Sequence, residues 1–212
     1  METLPNFSDL TASELDALMK TAIVRSYPKN SVILIEGDEG DSVYFVLQGR
    51  VKVFLSNDQG REIVISQIGA GDYFGEMSLE PGSRSASVMT TEPSRFAIVK
   101  MDLFREFLRA HPEFMLSVIG KLIRRTRTLA RNVKNLALLD VYGRLSQLLH
   151  DLATPEGNIW VIDTPMTQRD IAGHIGSSRE MISRIFKDLI AGGYLDVTRN
   201  RIEIRRRLPT AW

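Results

Sequence analysis

The 212-residue chain contains no cysteine, which excludes disulfides, a thiolate nucleophile and any Cys-ligated zinc or iron–sulfur centre. Its three histidines, His111, His150 and His174, lie far apart and make no ligand spacing, so no metal site is expected. Enzymes built on a small β-barrel usually need clustered histidines and carboxylates for a metal. The first 110 residues hold no histidine, so no catalytic residue is assigned and the chain reads as a non-enzyme. There is no run of about twenty apolar residues and no signal-peptide pattern at the N-terminus, which makes the cytoplasm the expected location. Net charge is also low, at +1, but it is unevenly placed. Residues 1–111 carry 11 Lys/Arg against 16 Asp/Glu, a net of −5, and residues 112–212 carry 16 against 10, a net of +6. The C-terminal half is therefore the candidate for a polyanionic partner.

Between these halves runs PEFMLSVIGKLIRRTRTLARNVKNLA, from Pro112 to Ala137, with no internal proline. Met115, Ile119, Leu122, Thr126, Leu129, Val133 and Leu136 alternate steps of four and three, the spacing that keeps one seam of a helix against a partner helix. The seam predicts a homodimer; an amphipathic helix packed on its own domain is the alternative. Lys121, Arg124, Arg125, Arg127, Arg131 and Lys134 fill the other faces, which predicts a basic, solvated surface there.

Ahead of the helix, Asp9 and Ser13 are candidate caps for short helices between Phe7 and Ile23. Short strand-like runs follow at Val32 to Ile35, Val43 to Leu47, Val51 to Leu55, Ile63 to Ile68, Ser85 to Thr90 and Arg95 to Val99. EGDEGD, QGR, NDQG and GAGD supply turns between them, as in a β-roll or barrel. Val51, Val53 and Leu55 are expected to face inward and Lys52 outward. One segment does not serve as scaffold: Phe74-Gly75-Glu76-Met77-Ser78-Leu79 followed by Gly82-Ser83-Arg84-Ser85-Ala86. Gly75 permits close backbone approach, Glu76 accepts from hydroxyls, and Arg84 and Ser85 donate to an anion, so a ribose phosphate satisfies the set. A turn closed by an Arg84 to Glu76 ion pair satisfies it too.

Beyond the long helix, Val141 to Leu152 has helical apolar spacing at Leu145, Leu148, Leu149 and Leu152, and Ile159 to Ile162 reads as a strand. Thr167 opens a helix with Asp170 as its reciprocal cap, Gly176 permits a tight turn, and Ser177 is placed to cap a second helix from Ser178 to about Ala191. Ile182, Ile185, Phe186, Leu189 and Ile190 form its predicted buried face. Arg179, Glu180, Ser183, Arg184 and Lys187 form the other, where arginine suits guanine and glutamate suits cytosine in a major groove. Glu180 as a capping partner and the arginines as a solvated face are the alternative. Tyr194 to Thr198 and Arg201 to Arg205 make a wing, whose Arg199, Arg201, Arg205, Arg206 and Arg207 are placed for phosphate.

F-G-E-M-S-L with R-S-A-S-V resembles the phosphate-binding cassette of cyclic-nucleotide-binding domains in the CRP/FNR family of bacterial transcription regulators. S-S-R-E-M-I-S-R resembles that family's recognition helix, and the similarity extends through GDEGDSVYFVLQGRVKVF and NLALLDVYGRL over nearly the whole chain. The resemblance implies an α+β chain with a β-roll effector domain (1–111), a dimerisation helix (112–139) and a winged helix-turn-helix (140–212). It implies that Gly75, Glu76, Arg84 and Ser85 hold a cyclic nucleotide, cyclic AMP or cyclic di-GMP, and that Arg179, Glu180 and Arg184 read bases. Double-stranded DNA with a two-fold symmetric site, a second copy of the chain and RNA polymerase are the implied partners. The chain departs from the cyclic-AMP-responsive pattern in a shorter cassette. It also carries Leu129 and Ala130 where that pattern has a threonine and a serine on the base. An effector-independent regulator with an empty β-roll is the alternative, and the iron–sulfur branch of the family is excluded by the lack of cysteine.

Overall fold

The computed structural model describes residues 5–60, 62–163, 166–198 and 201–209. Two compact units emerge, one of residues 1–55 and 65–127 and the other of residues 56–64 and 128–212.

In the first unit, α1 (Ala12–Thr21) is capped by Thr11, whose hydroxyl accepts from the Glu14 N–H while Glu14 accepts from the Thr11 N–H. This capping box replaces the expected caps at Asp9 and Ser13. Next come β1 (Ile23–Tyr27), β2 (Val32–Leu34), β3 (Ser42–Gln48), β4 (Arg50–Ser56), β5 (Glu62–Gly69) and β6 (Tyr73–Phe74). After one 3₁₀ turn (Glu76–Leu79), β7 (Ser87–Thr90), β8 (Ser94–Lys100) and α2 (Met101–Ala110) complete the series. The strands pair antiparallel in two sheets, ordered β1-β8-β3-β6 and β2-β7-β4-β5.

Phe45 on β3 is at the centre of the interior, with ring centroids of Phe7 at 5.7 Å, Tyr73 at 5.3 Å and Phe104 at 6.0 Å. Each such ring contributes about 1.5–3 kcal/mol by burial, and together they fix β6, from which the cassette starts. The inward alternation of β4 holds at Val51 and Val53, which pack in the second core cluster. It fails one step later: Phe54 is buried and Leu55 only partly so. A large aromatic ring on the opposite face is covered as well, and strict period-two reasoning does not allow for that.

α3 (Pro112–Leu138) is a single 27-residue helix. In the second unit, α4 (Val141–Leu152), β9 (Thr154–Glu156), β10 (Ile159–Ile162), α5 (Gln168–Ile175), α6 (Arg179–Ala191), β11 (Leu195–Val197) and β12 (Ile202–Ile204) follow. Their sheet is ordered β11-β12-β10-β9. Leu145, Leu149, Ile171, Ile182, Phe186 and Leu189 lead its core. Arg144 locks the helices by donating from Nε to the Ile175 carbonyl at 2.8 Å and from Nη1 to the Leu139 carbonyl at 2.8 Å, which satisfies carbonyls left open at two helix ends. No described helix is long and apolar enough to cross a membrane.

Candidate functional site

The cassette begins where β6 ends. Gly75 adopts a left-handed conformation (φ 88°), and a Cβ there would lie 2.8 Å from the Ser42 carbonyl oxygen and 3.0 Å from Arg84 Nη1. The close approach inferred for this glycine is therefore to its own chain. Gly40 serves the same end, since its Cβ would lie 2.7 Å from Arg84 Nε. Within this cradle Arg84 is 7 % exposed. It donates from Nη1 to the Gly75 carbonyl (3.2 Å) and Ser78 Oγ (3.0 Å), and from Nη2 to the Ser42 carbonyl (3.0 Å). Burial lowers its pKa, but a guanidinium stays charged at neutral pH.

The alternative Arg84 to Glu76 ion pair is not formed. Glu76, 1 % exposed, takes its cation from α3: Arg125 Nη1 donates to Glu76 Oε1, and Arg125 Nη2 donates to the Tyr73 carbonyl at 3.2 Å. One turn earlier Lys121 pairs with Asp72, donates to the same Tyr73 carbonyl at 3.0 Å and lies 3.4 Å from the Tyr73 ring centroid. Two cations expected on a solvated face thus turn into the β-roll. A signal for them was present in the sequence: Asp72 and Glu76 are four residues apart, as are Lys121 and Arg125, so on a helix the two cations share a face.

Three buried polar side-chain atoms among the described residues have no hydrogen-bond partner: Glu76 Oε2, Arg84 Nε and the Tyr73 hydroxyl. Burial pushes the Tyr73 phenol up, so it is neutral within its aromatic cluster. The other two belong to the cassette, one an anionic acceptor and the other a cationic donor. Ser85 lies exposed beside them in sequence, its Oγ 3.2 Å from Met77 Sδ. Leu129 and Ala130 are exposed on α3.

Along α3, Met115, Ile119, Thr126, Leu129, Val133 and Leu136 are exposed in the single chain. Leu122 is a correction: it packs against the β-roll core. Leu116 and Ile123, outside the predicted spacing, are exposed instead and broaden the stripe.

In the second unit Thr167 and Asp170 form the expected reciprocal cap of α5, and Gly176 takes the left-handed turn (φ 65°). The cap of α6 is Ser178 rather than Ser177, accepting from the Met181 N–H at 3.2 Å. Arg179, Glu180, Ser183, Arg184 and Lys187 are all exposed, and Ile182, Ile185, Phe186 and Leu189 are buried. Ile190, expected inside, is exposed. Hydrogen bonds from its own backbone N–H and from Ser178 hold the Glu180 carboxyl below its ordinary pKa, so it is an ionised acceptor.

The wing differs from expectation at Arg201. It is ion-paired to Glu156 (2.6 Å), Asp163 (3.2 Å) and Glu203 (3.1 Å), so its donors are spent on the sheet rather than held out for phosphate. Arg205 is similarly tied to Asp196 at 2.5 Å and Glu203 at 3.3 Å, whereas Arg206 and Arg207 are exposed. Arg199 lies outside the described residues. No group of three or more His, Cys, Asp or Glu among the described residues is placed to hold a metal ion.

Residues 24–111 match the cyclic nucleotide-binding domain family and residues 143–208 the Crp-like helix-turn-helix domain family. The cAMP-activated global transcriptional regulator CRP of Haemophilus influenzae is 33% identical over 184 residues, covering 82% of this chain and 80% of its own length. The CRP-like cAMP-activated global transcriptional regulator of Mycobacterium tuberculosis is 30% identical, covering 89% and 87%. Among solved structures, the c-di-GMP responsive global regulator CLP of Xanthomonas campestris superposes with a TM-score of 0.79 at 27% identity, covering 92% of this chain and 100% of that one.

Proposed function

Because the chain belongs to the CRP/FNR family of DNA-binding transcription regulators, we propose that it is a homodimeric member whose DNA affinity is set by a cyclic nucleotide in the β-roll. In this reading residues 112–139 are the dimerisation helix between an effector domain and a DNA-binding domain. RNA polymerase, on which a transcription regulator acts, is the remaining proposed partner.

One observation carries the effector reading: the cassette leaves Glu76 Oε2 and Arg84 Nε buried without partners. An unsatisfied buried polar atom costs about 1–3 kcal/mol, more when charged, so a ligand that satisfies both is favoured. It must offer a hydroxyl donor to the carboxylate and an anionic oxygen to the guanidinium. A ribose with a cyclic phosphate or phosphodiester offers both, and the related regulators are named for cAMP and c-di-GMP. A second reading, an effector-independent regulator, draws on the three bonds by which Arg84 is already held to protein acceptors. The two orphaned atoms weigh against it. Warming the protein with cyclic AMP, cyclic GMP or cyclic di-GMP tests the choice. A ligand at a hundredfold excess over its Kd should stabilise the fold by about 2.7 kcal/mol and raise the transition; no shift with any of the three contradicts the effector reading.

For DNA, we assign base reading to Arg179, Glu180 and Arg184 at the exposed start of α6, with Ser183 beside them. Phosphate binding goes to Lys187, Arg199, Arg206 and Arg207, while Arg201 serves mainly the sheet. Arg179→Ala should cost about 1–3 kcal/mol on the cognate site and relax preference at one position per half-site. Binding titrations on cognate and random duplexes read this directly. Equal loss on both would make Arg179 a phosphate contact.

A further inference from the structure

The cassette is joined to α3 by two ion pairs in matched register. Asp72 and Glu76 sit four residues apart on either side of β6, Lys121 and Arg125 four apart on α3, and the pairs are Lys121 with Asp72 and Arg125 with Glu76. The Tyr73 carbonyl lies between them and accepts from both cations, at 3.0 and 3.2 Å. Lys121 is 8 % exposed. Its ammonium has three donors, and the structure supplies a carboxylate, a carbonyl and the face of the Tyr73 ring. Burying an ammonium is costly unless it is paired so fully. Burial first, and then the neighbouring Arg125, lower the Lys121 pKa, with Asp72 opposing them. The two cations therefore repel, and each is held by its own carboxylate.

We infer that Lys121 is the positioning residue through which occupancy of the cassette is passed to α3, a role that rests on the effector site proposed above. Glu76 gives one oxygen to Arg125 and keeps the other unpaired. A ligand hydroxyl donating to that second oxygen draws charge from the first and loosens the hold on Arg125. Arg125 then leans more on its other acceptor among the described residues, the Tyr73 carbonyl that it already shares with Lys121. With Lys121 fixed by Asp72, the adjustment moves the helix about that point. Without it, Arg125 has the carbonyl to itself, no second cation opposes the adjustment and the change stays local. Coupling of this kind requires an element with two arrangements that the ligand favours unequally, and the two repelling cations on one carbonyl distinguish them.

Lys121→Met tests the role. Methionine keeps the aliphatic reach, and Asp72, whose side chain is 42 % exposed, remains hydrated, so no buried charge is stranded. The quantity read is the factor by which cyclic AMP or cyclic di-GMP changes operator affinity, alongside the nucleotide Kd itself. The variant should bind nucleotide within about threefold of the unaltered protein while the coupling factor collapses toward 1. An unchanged coupling factor overturns the inference. Loss of nucleotide binding overturns it as well, since Lys121 would then belong to the binding site. If the unaltered protein responds to neither nucleotide, the effector reading fails by itself. The clamp is then read by amide exchange, where Lys121→Met should speed exchange from Ile119 to Arg127 by about tenfold or more; unchanged exchange overturns the clamp.

Discussion

Leu129→Glu should convert the proposed dimer to a folded monomer. Leu129 is 43 % exposed in the single chain and lies on the same stripe as Ile119, Thr126, Val133 and Leu136, so its substitution removes nothing from either core. In the proposed dimer it buries a leucine on each side of the seam. Losing both, and setting two carboxylates face to face, weakens association by about 3–6 kcal/mol, on the order of 100- to 10,000-fold in Kd. Sedimentation at micromolar concentration reads the outcome; a variant that stays dimeric places the interface elsewhere. Leu122 is not an equivalent test. It packs on the β-roll core, so a charge there is expected to lower the unfolding transition.

Arg84→Ala should abolish nucleotide binding, by about 100-fold or more, because the guanidinium is the cationic donor of the cassette and charge-assisted bonds to an anion count about twice a neutral one. The same side chain holds the Ser42 and Gly75 carbonyls and Ser78. The variant is therefore also expected to lose about 1–3 kcal/mol of stability, and binding is to be measured below its transition, with sedimentation confirming an intact dimer. Binding that survives in the folded variant places the ligand outside the cassette.

The parts of this architecture that depend on local pattern were legible in the sequence. The long helix, the Thr167–Asp170 cap, the turn at Gly176 and the segregated faces of α6 follow from spacing within one or two turns. β1 was missed because four of its five residues are exposed and it shows no alternation; pairing with β8 makes it a strand. β6 has only two residues and β9 contains Pro155, too little for any periodicity to show. In the cassette, glycine and glutamate were readable as types, but their partners were not. Arg84 reaches a carbonyl 42 residues away and Arg125 a carboxylate 49 residues away, contacts that only tertiary folding creates. Charge on a helix ordinarily marks a solvated face. Lys121 and Arg125 depart from it because two carboxylates wait at the matching interval.

On the proposed function, a nucleotide in the β-roll and operator DNA at α6 act on one another. Linkage requires the effect to be reciprocal: if nucleotide raises operator affinity by some factor, operator raises nucleotide affinity by the same factor. Calorimetric titration of cyclic AMP, cyclic GMP and cyclic di-GMP into the protein, with and without operator duplex, measures it most directly. At least one of them should bind, and its Kd should shift when operator is present, by about 5- to 150-fold as is usual for such coupling. Binding with the same Kd in both titrations would contradict it.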